Sequence, residues 1–140
     1  MTYEDKINEL KIKLPEAKPP VGNYVATKIS GKMLFVSGQI SIDENGQLIK
    51  GKIGRDLDTE SGYNAAKRCA LSIIAQVKKA CDNDLSKVKS CVKLTGFVNS
   101  TDDFTEQPKI INGASDLIAS VFGDAGMHTR AAVSTNSLPL

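Results

Sequence analysis

The chain is poor in the side chains from which metal and disulfide sites are built. Its one histidine, His128, excludes any site with two histidine ligands and gives little support to a Ser-His-Asp arrangement. Its three cysteines, Cys69, Cys81 and Cys91, are odd in number and lack Cys-x-x-Cys spacing, so neither a disulfide framework nor a zinc site is indicated. Packing in a core or interface is favoured over nucleophilic use for these thiols. His128 is either a loop residue or part of a pocket lining.

Long apolar runs and an excess of one charge are also missing. The apolar runs are only a few residues long, and the N-terminal segment Met1-Thr2-Tyr3-Glu4-Asp5-Lys6 has neither a basic nor an apolar signal region. Eighteen basic and sixteen acidic side chains give a net charge of +2 without a basic stripe. The sequence therefore predicts a soluble, non-secreted, cytoplasmic protein that has no membrane partner and for which nucleic acid is not the expected partner.

The spacing of apolar residues and turn signals predicts the order of elements. A length of 140 residues suits a single domain over 1–140, in which 1–18 form an N-terminal helical extension and a proline-rich connector. Thr2 can cap the first helix, which continues through about Leu10. Longer helices are predicted over 59–82 and 104–122, and strands over 24–29, 33–36, 88–98 and 130–138, with a more exposed hairpin formed by 40–42 and 47–49.

This order indicates an α+β fold in which helices cover one face of a mixed β-sheet. The other face needs a cover as well, because an exposed apolar sheet face is unfavourable in water. Packing against copies of the same chain in a symmetric oligomer covers it and creates clefts between subunits. We therefore expect a homo-oligomer with inter-subunit clefts.

Arg130 is the most informative candidate site residue. It opens the last predicted strand after a glycine-rich turn, with no acidic residue beside it in the sequence. Its planar fork of donors matches a carboxylate in two parallel hydrogen bonds, which favours a small carboxylate ligand. A structural ion pair with one of the chain's own acids is an equally permitted interpretation.

Four other residues are candidates for the same site. Gly38 follows an apolar strand and permits close approach of a ligand to the backbone, and Ser37 offers a hydroxyl or an amide. A β-bulge without a ligand explains the Ser37-Gly38 pair equally well. Tyr24 is either a site residue or an edge aromatic, and Asn112 is either a site residue or a solvated or back-bonded helix residue.

Together these residues resemble the RidA family of reactive-intermediate deaminases, also called YjgF-type or L-PSP endoribonuclease proteins. The resemblance covers Pro19 to Leu140 in order, and the N-terminal extension and residues 111–117 resemble a longer branch of the family. The residues that carry it are Tyr24 after Pro19-Pro20, Phe35-Val36-Ser37-Gly38-Gln39-Ile40, Val98-Asn99-Ser100-Thr101-Asp102-Asp103-Phe104, Asn112, Thr129-Arg130-Ala131-Ala132-Val133 and Leu138-Pro139.

The resemblance implies a chorismate-mutase-like α+β fold and a homotrimer with a cleft at each of three subunit interfaces. Archetypal members hydrolyse enamine and imine intermediates such as 2-aminoacrylate to the 2-keto acid and ammonia, without a metal or organic cofactor. By resemblance Arg130 binds the substrate carboxylate, while Tyr24, Ser37, Gly38 and Asn112 line or shape the cleft. A non-catalytic trimer that binds small carboxylates or partner proteins is the alternative, because one fold serves several functions.

The chain also departs from the archetypal pattern. Archetypal members carry a glutamate some fifteen residues after the arginine, which is thought to position the attacking water, and this sequence stops at Leu140 before that point. His128-Thr129 replaces the usual pair before the arginine, and Ala132 replaces a common thiol. Backbone groups, or an acid such as Asp116 or Asp124, are then the candidates for placing the water.

Overall fold

Three helices form one layer of the fold in the computed structural model, which describes residues 1–140. Helix α1 spans Tyr3–Glu9, α2 spans Thr59–Ala80 and α3 spans Gln107–Phe122. Side-chain caps set two of the starts, because Thr2 and Asp5 form a reciprocal capping box and the Asp58 carboxylate accepts the backbone N–H of Ser61. These hydrogen bonds hold the pKa of Asp5 and of Asp58 below the usual aspartate value.

Four strands form two hydrogen-bonded pairs. Strands β1 (Thr27–Ser30) and β2 (Met33–Val36) are antiparallel, and they are joined at Gly31, whose φ of 59° suits a tight turn. Strands β3 (Lys93–Asn99) and β4 (Thr129–Thr135) are parallel, with α3 as the connection between them. The β1–β2 pair packs on α2, whereas β3 and β4 pack on α3.

The core lies between the strands and the helices. Alternate residues of β3, including Gly96 and Val98, face the helices, and Ile74 and Val121 are almost fully buried in the helix layer. Helices α2 and α3 approach closely at Gly113, where a Cβ atom would overlap the backbone carbonyl of Tyr63. Only glycine fits at this crossing, and the close approach fixes how α3 presents its polar side chains to β4.

The other side of the strands carries apolar side chains that remain exposed. The strand registers place Phe35 of β2 and Phe97 of β3 on the side away from the helices, and each is 59% exposed. Met33 and Val133 lie on the same side of their strands and are also exposed. We call these four residues the outer face. No helix in the chain is both long enough and apolar enough to cross a lipid bilayer.

The predicted α+β class and the long helices are confirmed, but several boundaries differ. The predicted hairpin of 40–42 and 47–49 is reduced to a single bridge between Ile42 and Leu48, although Gly46 has the expected positive φ of 79°. Strand β3 begins at Lys93 instead of Val88, because a 3₁₀ turn at Leu85–Lys87 precedes it and Cys91 donates its backbone N–H to Ala125 instead of a strand. Shorter spans than predicted are also seen for α3, β1 and β4.

Candidate functional site

Arg130 is held by the helix that packs on its strand. It is the second residue of β4, pairs in register with Leu94, and faces α3. Its Nη1 atom donates to Asn112 Oδ1 at 2.8 Å and to Ser115 Oγ at 3.2 Å, and both acceptors lie on one side of α3. No carboxylate of the chain lies within ion-pair distance of the guanidinium, so the structural ion pair that the sequence permitted is not formed.

His128 extends this cluster through Ser115. Its Nδ1 lies 2.6 Å from the backbone carbonyl of Gly126, and its Nε2 lies 2.9 Å from Ser115 Oγ. A carbonyl oxygen only accepts, so Nδ1 carries a hydrogen and Nε2 of the neutral ring is an acceptor. In that tautomer the Ser115 hydroxyl donates to His128 and accepts from Arg130. His128 lies between the 3₁₀ turn and β4, outside the helices and strands, as the loop interpretation expected, and its ring joins this polar cluster.

Two nitrogens of the Arg130 guanidinium, Nε and Nη2, remain free to donate to a ligand. Nη1 makes both hydrogen bonds of Arg130, whereas Nε and Nη2 have no acceptor within the chain. Every fully buried polar side-chain atom in the structure has a partner, so Nε and Nη2 of Arg130 must reach solvent. A half-buried cation with an accessible pair of parallel N–H groups is suited to binding a carboxylate.

Ser37, Gly38 and Tyr24 lie on the hairpin side of the fold. Ser37 directly follows β2, where its hydroxyl donates to the Val25 carbonyl at 2.7 Å and its N–H to the Ala26 carbonyl at 2.9 Å. The space next to Gly38 is open, with no atom within 4 Å of where a Cβ would lie. Tyr24 is 53% exposed. None of these three residues hydrogen-bonds to the Arg130 cluster within one chain.

The acids that were considered for placing a water have different surroundings. Asp116 Oδ2 accepts the Tyr63 hydroxyl at 2.7 Å, a contact between α3 and α2 that raises the pKa of Tyr63. Asp124 is exposed in the 3₁₀ turn at Gly123–Gly126. Neither carboxylate contacts Arg130.

The three thiols are partly buried. Burial raises the pKa of all three, and that of Cys69 reaches about 11. A raised pKa disfavours the thiolate, which agrees with the prediction that these cysteines pack and do not act as nucleophiles.

Comparison with known proteins identifies the family. Residues 4–140 match the family model described as "YjgF/chorismate_mutase-like, putative endoribonuclease". The chain belongs to this family. This is the same family that the sequence motifs resembled, where it was called RidA. Its fold is the α+β fold described above.

Related proteins extend over nearly the whole chain. Protein TCP17 of Trypanosoma cruzi is 46% identical over 95% of this chain and 83% of its own length. A crystal structure of an Agrobacterium tumefaciens protein of unknown function shares 47% identity and a TM-score of 0.89, covering 99% of this chain and 85% of that one. A crystal structure described as that of "a putative endoribonuclease" from Shewanella oneidensis shares 36% identity and a TM-score of 0.94, covering 99% of this chain and 91% of that one.

The structure adds Ser115 to the candidates taken from the sequence. Asn112 and Ser115 are three residues apart on a helix, a spacing that places two polar side chains on one face. This spacing, in a helix followed by the sole histidine and the strand that carries Arg130, was the feature of the sequence that could have predicted Ser115 as a site residue. It was missed because residues 111–117 were considered only for their resemblance to a longer branch of the family, which assigned no role to Ser115.

Proposed function

We propose that this RidA-family chain binds a small carboxylate at Arg130 and hydrolyses enamine or imine intermediates of the 2-aminoacrylate type to 2-keto acids and ammonia. The observation that carries the proposal is the guanidinium of Arg130, which has no acidic partner in the chain and keeps Nε and Nη2 accessible. A half-buried guanidinium is only partly solvated, so hydrogen bonds to an anionic ligand stabilise its charge more than they would in open water.

Hydrolysis of an enamine requires few catalytic groups from the protein. A proton added to C3 of the enamine gives the imine, and water then adds to the electrophilic C2. The C2–N bond breaks, ammonia leaves, and the carbonyl of the 2-keto acid remains. The protein has to hold the carboxylate, favour protonation at carbon and orient one water. Arg130 supports the first task, and Asn112 fixes the orientation of Arg130.

We also propose that the working form is a homotrimer whose clefts join the two polar regions. The outer face of Met33, Phe35, Phe97 and Val133 supports the assembly, since a monomer would leave these side chains in water. A cleft between copies would place Tyr24, Ser37 and Gly38 of one subunit opposite the Arg130 cluster of the next. Within one chain these three residues do not contact the Arg130 cluster, so the contact would have to form between subunits.

The direct test follows the loss of 2-aminoacrylate, which a serine or threonine dehydratase generates in situ. Faster formation of pyruvate and ammonia with the protein than without it is the expected result, and Arg130→Ala should remove the acceleration. An unchanged rate with wild-type protein would contradict the deaminase.

Calorimetry with pyruvate and pyruvamide separates catalysis from binding. Preferential binding of the acid without any acceleration of hydrolysis would support the alternative of a non-catalytic carboxylate-binding trimer. Equal affinities for the acid and the amide would contradict the carboxylate site in both versions.

A further inference from the structure

We propose that Ser115 and His128 are positioning residues that hold the Nη1 corner of Arg130, so that a carboxylate binds along the Nε–Nη2 edge of the guanidinium. The inference rests on the proposed function, because it concerns the orientation of the same ligand. It assigns roles to two residues that the family resemblance leaves without one.

The hydrogen-bond geometry of Nη1 supports this orientation. Nη1 carries two hydrogens and donates to two acceptors, Asn112 Oδ1 and Ser115 Oγ. A carboxylate on the Nη1–Nη2 end of the fork would have to displace one of these acceptors. The Nε–Nη2 edge offers two parallel N–H groups that no protein atom accepts, which is the arrangement that matches both oxygens of a carboxylate.

His128 sets the direction of the Ser115 hydroxyl. A helix serine often turns its hydroxyl back to a carbonyl one turn earlier, as Ser120 on the same helix does with Leu117 O at 2.8 Å. In the neutral ring with its hydrogen on Nδ1, which the Gly126 carbonyl favours, the Ser115 hydroxyl instead donates to His128 Nε2. The oxygen lone pairs of Ser115 are thereby left for Arg130.

Three elements of the fold meet at the Ser115 hydroxyl. Ser115 belongs to α3, Arg130 to β4, and His128 to the turn between them. One hydroxyl from the middle of α3 thus contacts both the second residue of β4 and the histidine that precedes this strand. Loss of the hydroxyl should leave Nη1 with Asn112 as its single acceptor and allow the guanidinium to rotate.

The experiment is nitrogen-15 NMR of the arginine side chains, which is practicable because the chain has only three arginines, Arg55, Arg68 and Arg130. The spectrum of Arg130→Lys assigns the Arg130 signals. Without ligand, we expect resolved Nη signals for Arg130 in wild type, since its Nη1 is held, and merged signals in Ser115→Ala, in which rotation about Nε–Cζ is faster.

Pyruvate is the probe for the ligand edge. Saturating pyruvate should move the Arg130 Nε–H signal in wild type, whereas pyruvamide should not. Ser115→Ala should bind pyruvate about tenfold more weakly, the factor expected for one hydrogen bond near a charged group. His128→Asn, which keeps a donor for the Gly126 carbonyl but loses the contact with Ser115, should weaken binding in the same direction.

Two variants make the test specific. Ser115→Thr keeps the hydroxyl and should retain wild-type affinity and resolved Nη signals. Ser120→Ala removes an equivalent hydroxyl from the same helix, away from Arg130, and should change neither readout. Melting temperatures measured alongside exclude a general loss of fold as the cause.

The outcomes separate the two proposals. Absence of pyruvate binding by wild type contradicts the proposed function, while the ligand-free Nη spectra still decide whether Ser115 holds Arg130. Unchanged Nη signals in Ser115→Ala overturn the positioning role. A pyruvate-induced change at Nη1 with none at Nε overturns the assigned edge.

Discussion

The α3–β4 region and the β1–β2 region differ in how far each is organised within one chain. In the first, Arg130, Asn112, Ser115 and His128 form a continuous hydrogen-bonded cluster between a helix, a strand and the turn joining them. In the second, Ser37 donates to two backbone carbonyls of the segment before β1 and accepts from Gln39, and Tyr24 and Phe35 are more than half exposed. One half of the candidate site is preorganised, and the other half is open.

The difference indicates that the two halves are completed in different ways. A cluster joined by hydrogen bonds within one chain is positioned by folding of that chain and adds rigidity. A hairpin with exposed aromatic side chains gains its contacts from another surface. We expect substitutions in the first region to act on ligand affinity within each subunit, and substitutions in the second to act through assembly.

The largest effect is expected where α2 and α3 cross. Gly113→Ala places a methyl group on the backbone carbonyl of Tyr63, so the helices must separate and α3 must move relative to β4. Overpacking of this kind costs about 3 kcal/mol. Urea unfolding should show the loss of stability.

Gly38→Ala is the matched change in the open region. No atom lies within 4 Å of the added methyl group, so the free energy of unfolding should change by less than about 0.5 kcal/mol. Pyruvate affinity should fall if Gly38 borders the ligand cleft. A loss of stability equal to that of Gly113→Ala would contradict the openness of this region.

The oligomeric state should respond differently to a charge on the outer face and to a charge elsewhere on the surface. Phe97→Asp puts a charge on the outer face, whereas Val21→Asp puts the same charge in the segment before β1, at a residue that is 96% exposed. Sedimentation at micromolar concentration should give a trimer mass for wild type and Val21→Asp. Phe97→Asp should sediment as a smaller species, because a buried unpaired charge is unfavourable. A trimer mass for Phe97→Asp would exclude the outer face from the interface.

A smaller effect is expected where the connector joins α2. The Gln76 side chain is 3% exposed, and its Nε2 donates to the Lys18 carbonyl at 2.7 Å, which fixes the chain leading to Tyr24. Gln76→Leu should lower the free energy of unfolding by about 1 kcal/mol, the usual net value of a hydrogen bond. Faster proteolysis within the connector should accompany it. Proteolysis at the wild-type rate would show that other contacts hold the connector.

Elements with strong local signals were predictable from the sequence. Helix α2 begins at Thr59 after the capping residue Asp58, and β2 spans Met33–Val36, both as expected from the residue pattern. The start of β3 was wrong, because Cys91 bonds to Ala125 in the turn after α3, a partner distant in sequence. Period-2 alternation continues through such a segment and does not reveal which partner it has.

The candidate site was predictable only in part, for a similar reason. Arg130 stands out as a cation without an acidic neighbour, and Asn112 was a candidate by resemblance. The contact between Ser115 and His128 depends on how the turn at Gly123–Gly126 folds, and that turn has no periodic pattern. Polar contacts that depend on the conformation of a loop can be identified from the structure but not from the sequence pattern.

We propose that Arg130 binds the ligand and is not required for the architecture of the fold. The most direct measurement is urea unfolding of wild type, Arg130→Lys and Arg130→Ala at one protein concentration, with and without pyruvate. Wild type should gain about 2.7 kcal/mol at a ligand concentration of 100 Kd, whereas Arg130→Ala should gain nothing. Arg130→Lys should gain less than wild type, because it keeps the charge without the fork.

Without ligand, Arg130→Ala should lose only about 1 kcal/mol, since its partners Asn112 and Ser115 are neutral. A loss of about 3 kcal/mol or more in Arg130→Ala, together with undiminished stabilisation by pyruvate, would show that Arg130 is structural and that the ligand binds elsewhere.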